Sequence, residues 1–181
     1  IFPVDNEGDI DGGRIRQAKQ ELYEAINRGE ETDCSGCPFL QLEEWPSFAE
    51  LSVNFVSIES HTQCNMRCTY CDEIYYGGLT ANYDLQASLK KLADSGILSK
   101  NVSLAWGGGE PLMLKDFDSI FRSITEHLKP MYNRVFSNAI IYSPVVAEFL
   151  KKGNATMTTS IDSGTIDTFR KVRGVNQRDK V

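Results

Sequence analysis

The strongest constraint on how this chain folds is an alternation. A short apolar run of strand character is followed by an amphipathic stretch of helical character, four times in succession. Phe55–Ser60 is the first run, and Tyr83–Ala93 follows it with Leu85, Leu89 and Leu92 on one helical face and Gly96 at its end. Asn101–Trp106 is the second run. The helix from Asp116 to Leu128 carries Phe117, Ile120, Phe121, Ile124 and Leu128 at helical spacing and stops at Pro130. Arg134–Ile140 is the third run. Ser143-Pro144 then opens a helix with a hydroxyl cap and a first-turn proline, Val146, Phe149 and Leu150 form its stripe, and Gly153 closes it. Ala155–Ile161 is the fourth run and Thr165–Val172 the fourth helix. Such βα repeats form a parallel sheet, and right-handed crossovers curl it into a barrel or part of one. The predicted fold class is therefore α/β, a partial (βα) barrel of parallel strands.

In that architecture the loops after the strand C-termini carry function. The unusual residues from Cys64 onward all fall in such loops. Upstream, residues 1–13 (IFPVDNEGDIDGG) read as a loop or tail. Arg14 to Arg28 reads as a helix with Ile15, Ala18, Leu22, Ala25 and Ile26 on one face and Gly29 as its cap. A loop with Cys34 and Cys37 and a polar connection through Trp45-Pro46 follow. This divides the chain into an N-terminal helical and loop extension, residues 1–50, and a barrel-like core, residues 51–181.

Charge and cysteine usage narrow the setting. A net charge of -6 gives no electrostatic attraction to a phosphate backbone, and the paired lysines Lys90-Lys91 and Lys151-Lys152 read as solvated helix faces, so a nucleic-acid partner is disfavoured. No apolar run has the length of a membrane span, and no basic-then-apolar leader is present, so no membrane association is expected. The 5 cysteines form two clusters, Cys34/Cys37 and Cys64/Cys68/Cys71, which suits metal ligation in a reducing, cytoplasmic setting better than a disulfide framework.

Cys64, Cys68 and Cys71 put three thiols within eight residues. Structural zinc takes four protein ligands, usually from paired knuckles, and the x3-x2 spacing fits that poorly. Cysteine thiolates are the usual ligands of iron–sulfur clusters, and a [4Fe–4S] cube held by three of them keeps one iron open to another molecule. A zinc site completed by His61 or by a residue elsewhere is the alternative.

The run Cys64-x3-Cys68-x2-Cys71, with aromatic Tyr70 before the last cysteine, resembles the motif of radical S-adenosylmethionine (radical SAM) enzymes. The resemblance implies that the open iron chelates the methionine part of S-adenosylmethionine. It further implies that an electron from the reduced cluster, supplied by a donor such as flavodoxin or ferredoxin, cleaves the cofactor to a 5′-deoxyadenosyl radical. Gly108-Gly109-Glu110, directly after the second strand, is similar to the family's GGE motif, which contacts the cofactor's ammonium group. Three glycines would equally suit a tight turn. In the fourth strand, Ser160 and Asp162 are two apart and so share one face, with Ile161 directed into the apolar layer. A hydroxyl and a carboxylate side by side suit a ribose, or equally the cap of the following helix; the resemblance assigns Ser160 to the ribose and Tyr70 to the adenine.

Ser137-Asn138-Ala139 is similar to a Thr-Asn-Gly stretch of the family but has alanine for glycine, and Asn138 on its own reads as a turn residue. Arg173 is available to a carboxylate or to solvent. His61 reads as a solvated loop residue, and Tyr75, Tyr76 and Trp106 as packing residues. Cys34 and Cys37 read as a redox dithiol, half a zinc site or half the ligands of an auxiliary cluster; the last resembles the SPASM-like subgroup, whose substrates are peptides or small polar metabolites. The family core has six βα units and four are found here. The sequence is accordingly expected to be a fragment, or to have its last strand covered by another chain. The competing function is a non-enzymatic zinc or iron–sulfur binding module.

Overall fold

The computed structural model describes residues 11–39 and 52–175; residues 1–10 of the tail predicted over residues 1–13 and the Trp45-Pro46 connection lie outside them. The chain runs α1 (Gly12–Asn27), β1 (Val53–Ile58), α2 (Leu85–Asp94), β2 (Leu98–Trp106), α3 (Phe117–Leu128), β3 (Tyr132–Phe136), α4 (Pro144–Lys151), β4 (Thr156–Thr158) and α5 (Ile166–Arg173), with 3₁₀ turns at Glu73–Tyr75 and Pro111–Met113. The sheet is parallel throughout with order β1-β2-β3-β4, so each strand lies beside the one before it. That sequential order is the winding of a (βα) barrel segment, as the alternation predicts.

Side-chain alternation sorts the sheet into two faces. Ile58, Val102, Leu104, Trp106 and Val135 turn toward the helices and join Phe117, Phe121, Ile124, Val146 and Phe149 in one core. Phe55, Tyr132 and Phe136 turn the other way and are exposed. Four aromatic rings knit the core: Trp106 packs edge-on against Phe117 with centroids 5.6 Å apart, Phe117 stacks on Phe121 at 5.5 Å, and Phe121 meets Phe149 at 5.5 Å. Full burial of each ring stabilises the fold by roughly 1.5–3 kcal/mol. Trp106 Nε1 donates to Asn133 Oδ1 at 2.7 Å and Asn133 Nδ2 to Thr125 Oγ1 at 2.7 Å, so the polar groups taken into this core are paired.

The helix boundaries follow local chemistry. Asp11, Asp84, Ser143 and Thr165 each cap a helix N-terminus with a side-chain oxygen. Gly12 and Gly13, expected in a loop, instead open α1, because the Asp11 carboxylate accepts from Gly13 and Arg14 N–H. Ile15 of α1 is buried against Leu92 and Ile97, which docks the extension's helix on the core. All four strands differ in their bounds from expectation: β1 starts and ends two residues early and β2 starts three residues early, while the C-terminal ends of β3 and β4 are cut short. β3 spans Tyr132–Phe136 and not Arg134–Ile140, and β4 is only Thr156–Thr158 and not Ala155–Ile161. β3 ends early because Ser137 N makes a last bond to Thr158 O at 3.1 Å and Asn138 N is then diverted to a buried carboxylate, as described below. Beyond Thr158 the chain leaves the sheet, so Ser160 and Asp162 do not share a strand face, and Ile161, expected in the apolar layer, is 68% exposed.

Candidate cluster and cofactor site

The three cysteines lie on the loop that leaves the C-terminal end of β1. All three are free and partly buried. Burial pushes the Cys64 and Cys71 thiols up, and their neighbouring thiols add to it. The Met66 N–H donates to Cys64 Sγ at 3.4 Å and works the other way on that thiol. Among the described residues no three Cys, His, Asp or Glu side chains converge closely enough to ligate one metal ion. Three cysteines on one loop are a donor set whose chemistry suits an iron–sulfur cluster, which thiolates ordinarily hold, better than structural zinc, which takes four protein ligands.

Two elements fix this loop through main-chain hydrogen bonds. On one side Gly109 N donates to His61 O at 3.0 Å and Glu110 N to Gln63 O at 2.7 Å. The approach is so close that a Cβ on Gly109 would lie 2.1 Å from Gln63 O, and one on Gly108, whose φ is +93°, would lie 2.7 Å from His61 O. The glycines are therefore required by contact between two backbones as well as by any ligand. On the other side Arg67 N donates to Arg173 O at 3.0 Å and Thr69 N to Val172 O at 2.8 Å. These acceptors are last-turn carbonyls of α5 that lack a partner within the helix, so the cysteine loop completes the helix end. Gly174 permits it, since its Cβ would lie 2.5 Å from Arg67 O.

Glu110 is 2% exposed and aims inward. Its carboxylate accepts from Ser137 Oγ at 2.8 Å, Asn138 N at 2.7 Å and Leu112 N at 3.3 Å. Burial pushes its carboxyl above the ordinary range, against the pull of those three donors. Asn138 is also buried; its Nδ2 donates to Asn65 Oδ1 at 2.6 Å, and its Oδ1 accepts from Ile140 N at 3.1 Å. Ala139, standing where the glycine was anticipated, holds φ 61°.

Tyr70 and Asp162 come together: Tyr70 Oη donates to Asp162 Oδ2 at 3.1 Å. Burial, then the nearby Cys68, pushes the Tyr70 phenol up. Arg173 organises this corner. It is 5% exposed, forms an ion pair with Asp162, donates to the Ser160 carbonyl and to Cys68 Sγ, the last at 3.3 Å, and places its guanidinium 5.8 Å from the Tyr70 ring centre. Of its two anticipated surroundings, carboxylate or solvent, the carboxylate is the one found.

His61 corrects expectation. It is 3% exposed, its Nδ1 accepts from Gln63 N at 3.1 Å, and burial lowers its pKa. The chain from Leu79 and the Gly108–Gly109 segment close over it, which nothing in its local sequence announces. Tyr75, expected to pack, is 41% exposed. Cys34 and Cys37 lie in a turn closed by Cys37 N donating to Cys34 O at 3.1 Å, with both thiols free.

The radical SAM superfamily profile matches residues 58–181, the stretch that contains the cysteine loop and every βα unit after β1. This chain belongs to the radical SAM superfamily. Membership makes it an enzyme of the radical SAM class, with a [4Fe–4S] cluster and S-adenosylmethionine as its cofactors. It is 34% identical over 122 residues to a GTP 3′,8-cyclase of Haemophilus influenzae, covering 66% of this chain and 36% of that protein. To a GTP 3′,8-cyclase of Clostridium acetobutylicum it is 26% identical over 133 residues, covering 72% of this chain and 41% of that protein. The chain thus spans well under half the length of the curated relatives it matches. The crystal structure of Streptococcus suis SuiB bound to the precursor peptide SuiA aligns with a TM-score of 0.57 at 18% identity, over 92% of this chain and 42% of that one, and shows the same fold. No helix among the described residues is long and apolar enough to cross a membrane.

Proposed function

We propose that residues 51–181 are the core of an enzyme that cleaves S-adenosylmethionine reductively and uses the product radical to take a hydrogen atom from a peptide or small polar substrate. When bound, the reduced cluster and S-adenosylmethionine supply a 5′-deoxyadenosyl radical, with methionine as the other product. Cys64, Cys68 and Cys71 hold the cluster and leave one iron for the cofactor. Gly108, Gly109 and Glu110 border the methionine end. Tyr70, Ser160 and Asp162 border the nucleoside end, with Arg173 holding Asp162 and the Ser160 carbonyl in register with Cys68. The electron comes from a flavodoxin- or ferredoxin-like donor.

The observation that carries this reading is the joining of Tyr70, Asp162 and Arg173 to a cluster cysteine. Residues 92 and 105 positions apart in sequence meet beside Cys68. The substrate classes rest on relatives alone: two are named as cyclases of GTP, and one fold neighbour was solved with a precursor peptide.

The test is anaerobic reconstitution of the full-length protein with iron and sulfide, reduction by dithionite, addition of S-adenosylmethionine, and assay for 5′-deoxyadenosine. A loaded, reduced cluster that yields none refutes the proposal. Cys68→Ala is expected to abolish both cluster absorbance and turnover. One tightly held zinc per chain in protein purified without oxygen would favour the binding-module alternative.

A further inference from the structure

The hydrogen bonds around Glu110 close on themselves. Starting at the cysteine loop, the Gln63 carbonyl accepts from Glu110 N at 2.7 Å. The Glu110 carboxylate accepts from Asn138 N at 2.7 Å, and Asn138 Nδ2 returns to the loop at Asn65 Oδ1, 2.6 Å away. Gln63 and Asn65 are the two chain neighbours of Cys64. The first cysteine is therefore gripped from both sides by one ring that runs through the end of β2 and the end of β3.

The ring is built to be stiff. Glu110, Ser137 and Asn138 are all buried, and each polar atom of the Glu110 and Asn138 side chains named above has a partner. A satisfied polar network away from water has few alternative arrangements, because breaking any member leaves another unpaired. Ala139 adds to this: its left-handed φ of 61° is what turns the chain after Asn138 so that Ile140 N reaches Asn138 Oδ1 at 3.1 Å. A positive-φ residue that is not glycine persists where surrounding contacts over-determine it.

We infer that Asn138 and Glu110 are positioning residues for Cys64, setting the direction of its sulfur before any cluster arrives, through a closed ring with Gln63 and Asn65. The inference rests on the cluster reading of the three cysteines, but half of its test does not depend on it. The Glu110 side chain, on this account, serves the loop, and any contact of this segment with a cofactor is left to its backbone.

The experiment uses the full-length protein with Asn65→Ala, Asn138→Ala and the double variant. In the apo protein under reducing, anaerobic conditions, alkylation of each cysteine by iodoacetamide is followed by mass spectrometry. Cys64 is expected to react several-fold differently, relative to Cys71, in either single variant. In the reconstituted protein, release of iron to a chelator is expected to be roughly fivefold faster in Asn65→Ala, the effect of one lost hydrogen bond, and at least as much faster in Asn138→Ala, which also loses the bond from Ile140 N. The double variant is expected to be no worse than the poorer single one, because both break the same link. Unchanged Cys64-to-Cys71 ratios together with unchanged iron release would overturn the inference, as would strictly multiplicative effects in the double variant. Asn65 is partly buried in a loop, so its variant keeps the test alive if Asn138→Ala does not fold. If the wild type assembles no cluster, the proposed function fails while the alkylation comparison still decides the ring.

Discussion

Three consecutive glycines follow β2, and the structure makes their replacement by alanine sharply unequal. At Gly107 the nearest atom to an added Cβ is Glu59 Cγ at 3.9 Å, an ordinary contact, and φ is not in the left-handed region. Gly107→Ala should therefore change stability by no more than about 0.5 kcal/mol, with the lower chain entropy of alanine acting in its favour. At Gly109 the added methyl would lie 2.1 Å from Gln63 O, 2.7 Å from its carbonyl carbon and 2.9 Å from its nitrogen. These are main-chain atoms of a loop fastened at several points, so no rotamer change relieves the clash. The loop must withdraw, at a packing cost of about 1–3 kcal/mol. It also loses the Gly109–His61 and Glu110–Gln63 bonds at about 1 kcal/mol each. Gly109→Ala is thus expected to destabilise by roughly 3–5 kcal/mol on the sum of those terms. Gly108→Ala, with φ +93° and His61 O at 2.7 Å, should fall between. Urea unfolding of the three apo variants under reducing, anaerobic conditions measures the order, with the slope m checked for constancy. If Gly109→Ala lies within 1 kcal/mol of Gly107→Ala, on the order of one hydrogen bond, the docking of this segment on the cysteine loop is refuted.

Ala139→Gly should stabilise the protein by about 0.5 kcal/mol, since relief of left-handed strain of about 1–2 kcal/mol slightly outweighs the added chain entropy of glycine; urea unfolding that shows a loss greater than this gain would contradict it. Arg173→Met should destabilise by about 2 kcal/mol in the same assay, less than a fully buried ion pair would because the Asp162 carboxylate keeps some contact with water. His61 is held neutral by burial, so below pH 6.5 the unfolded chain takes a proton that the folded one refuses. Stability should then fall with decreasing pH through that window, at up to about 1.4 kcal/mol per pH unit, and His61→Gln should flatten this slope in unfolding curves measured across it.

The alternation of strands and helices was legible because apolar periodicity reports burial directly, and every predicted βα unit is present. The ends of β3 and β4 were not. Arg134 to Ile140 looks like one strand by composition, yet the Ser137 hydroxyl and the Asn138 N–H both turn to a carboxylate 27 and 28 positions earlier, and the ladder stops at Ser137 N. A similar distance hides the meaning of His61, whose burial depends on a segment that arrives far later in the chain. Ser160 and Asp162 do lie by the cysteine loop, but the strand-face argument for them was wrong; Arg173 gathers them instead. Asn65 carried no signal at all, since a lone amide between two cysteines shows nothing of its partner at position 138. Local pattern finds elements, whereas contacts between loops depend on topology that is settled only once the sheet is assembled.

The cysteine loop is addressed through its main chain at His61, Gln63, Arg67 and Thr69. Amide and carbonyl groups are common to all residues except proline, so the fastening does not discriminate between side chains at exposed Thr69, whereas Arg67 also turns its guanidinium back to donate to Cys64 O at 2.8 Å and Met66 O at 2.7 Å. The loop behaves as a cassette in a fixed frame. The side chain at Thr69 can be exchanged, for a spectroscopic label or for a different neighbour to a substrate, while the three sulfurs keep their places; Arg67 belongs to the frame.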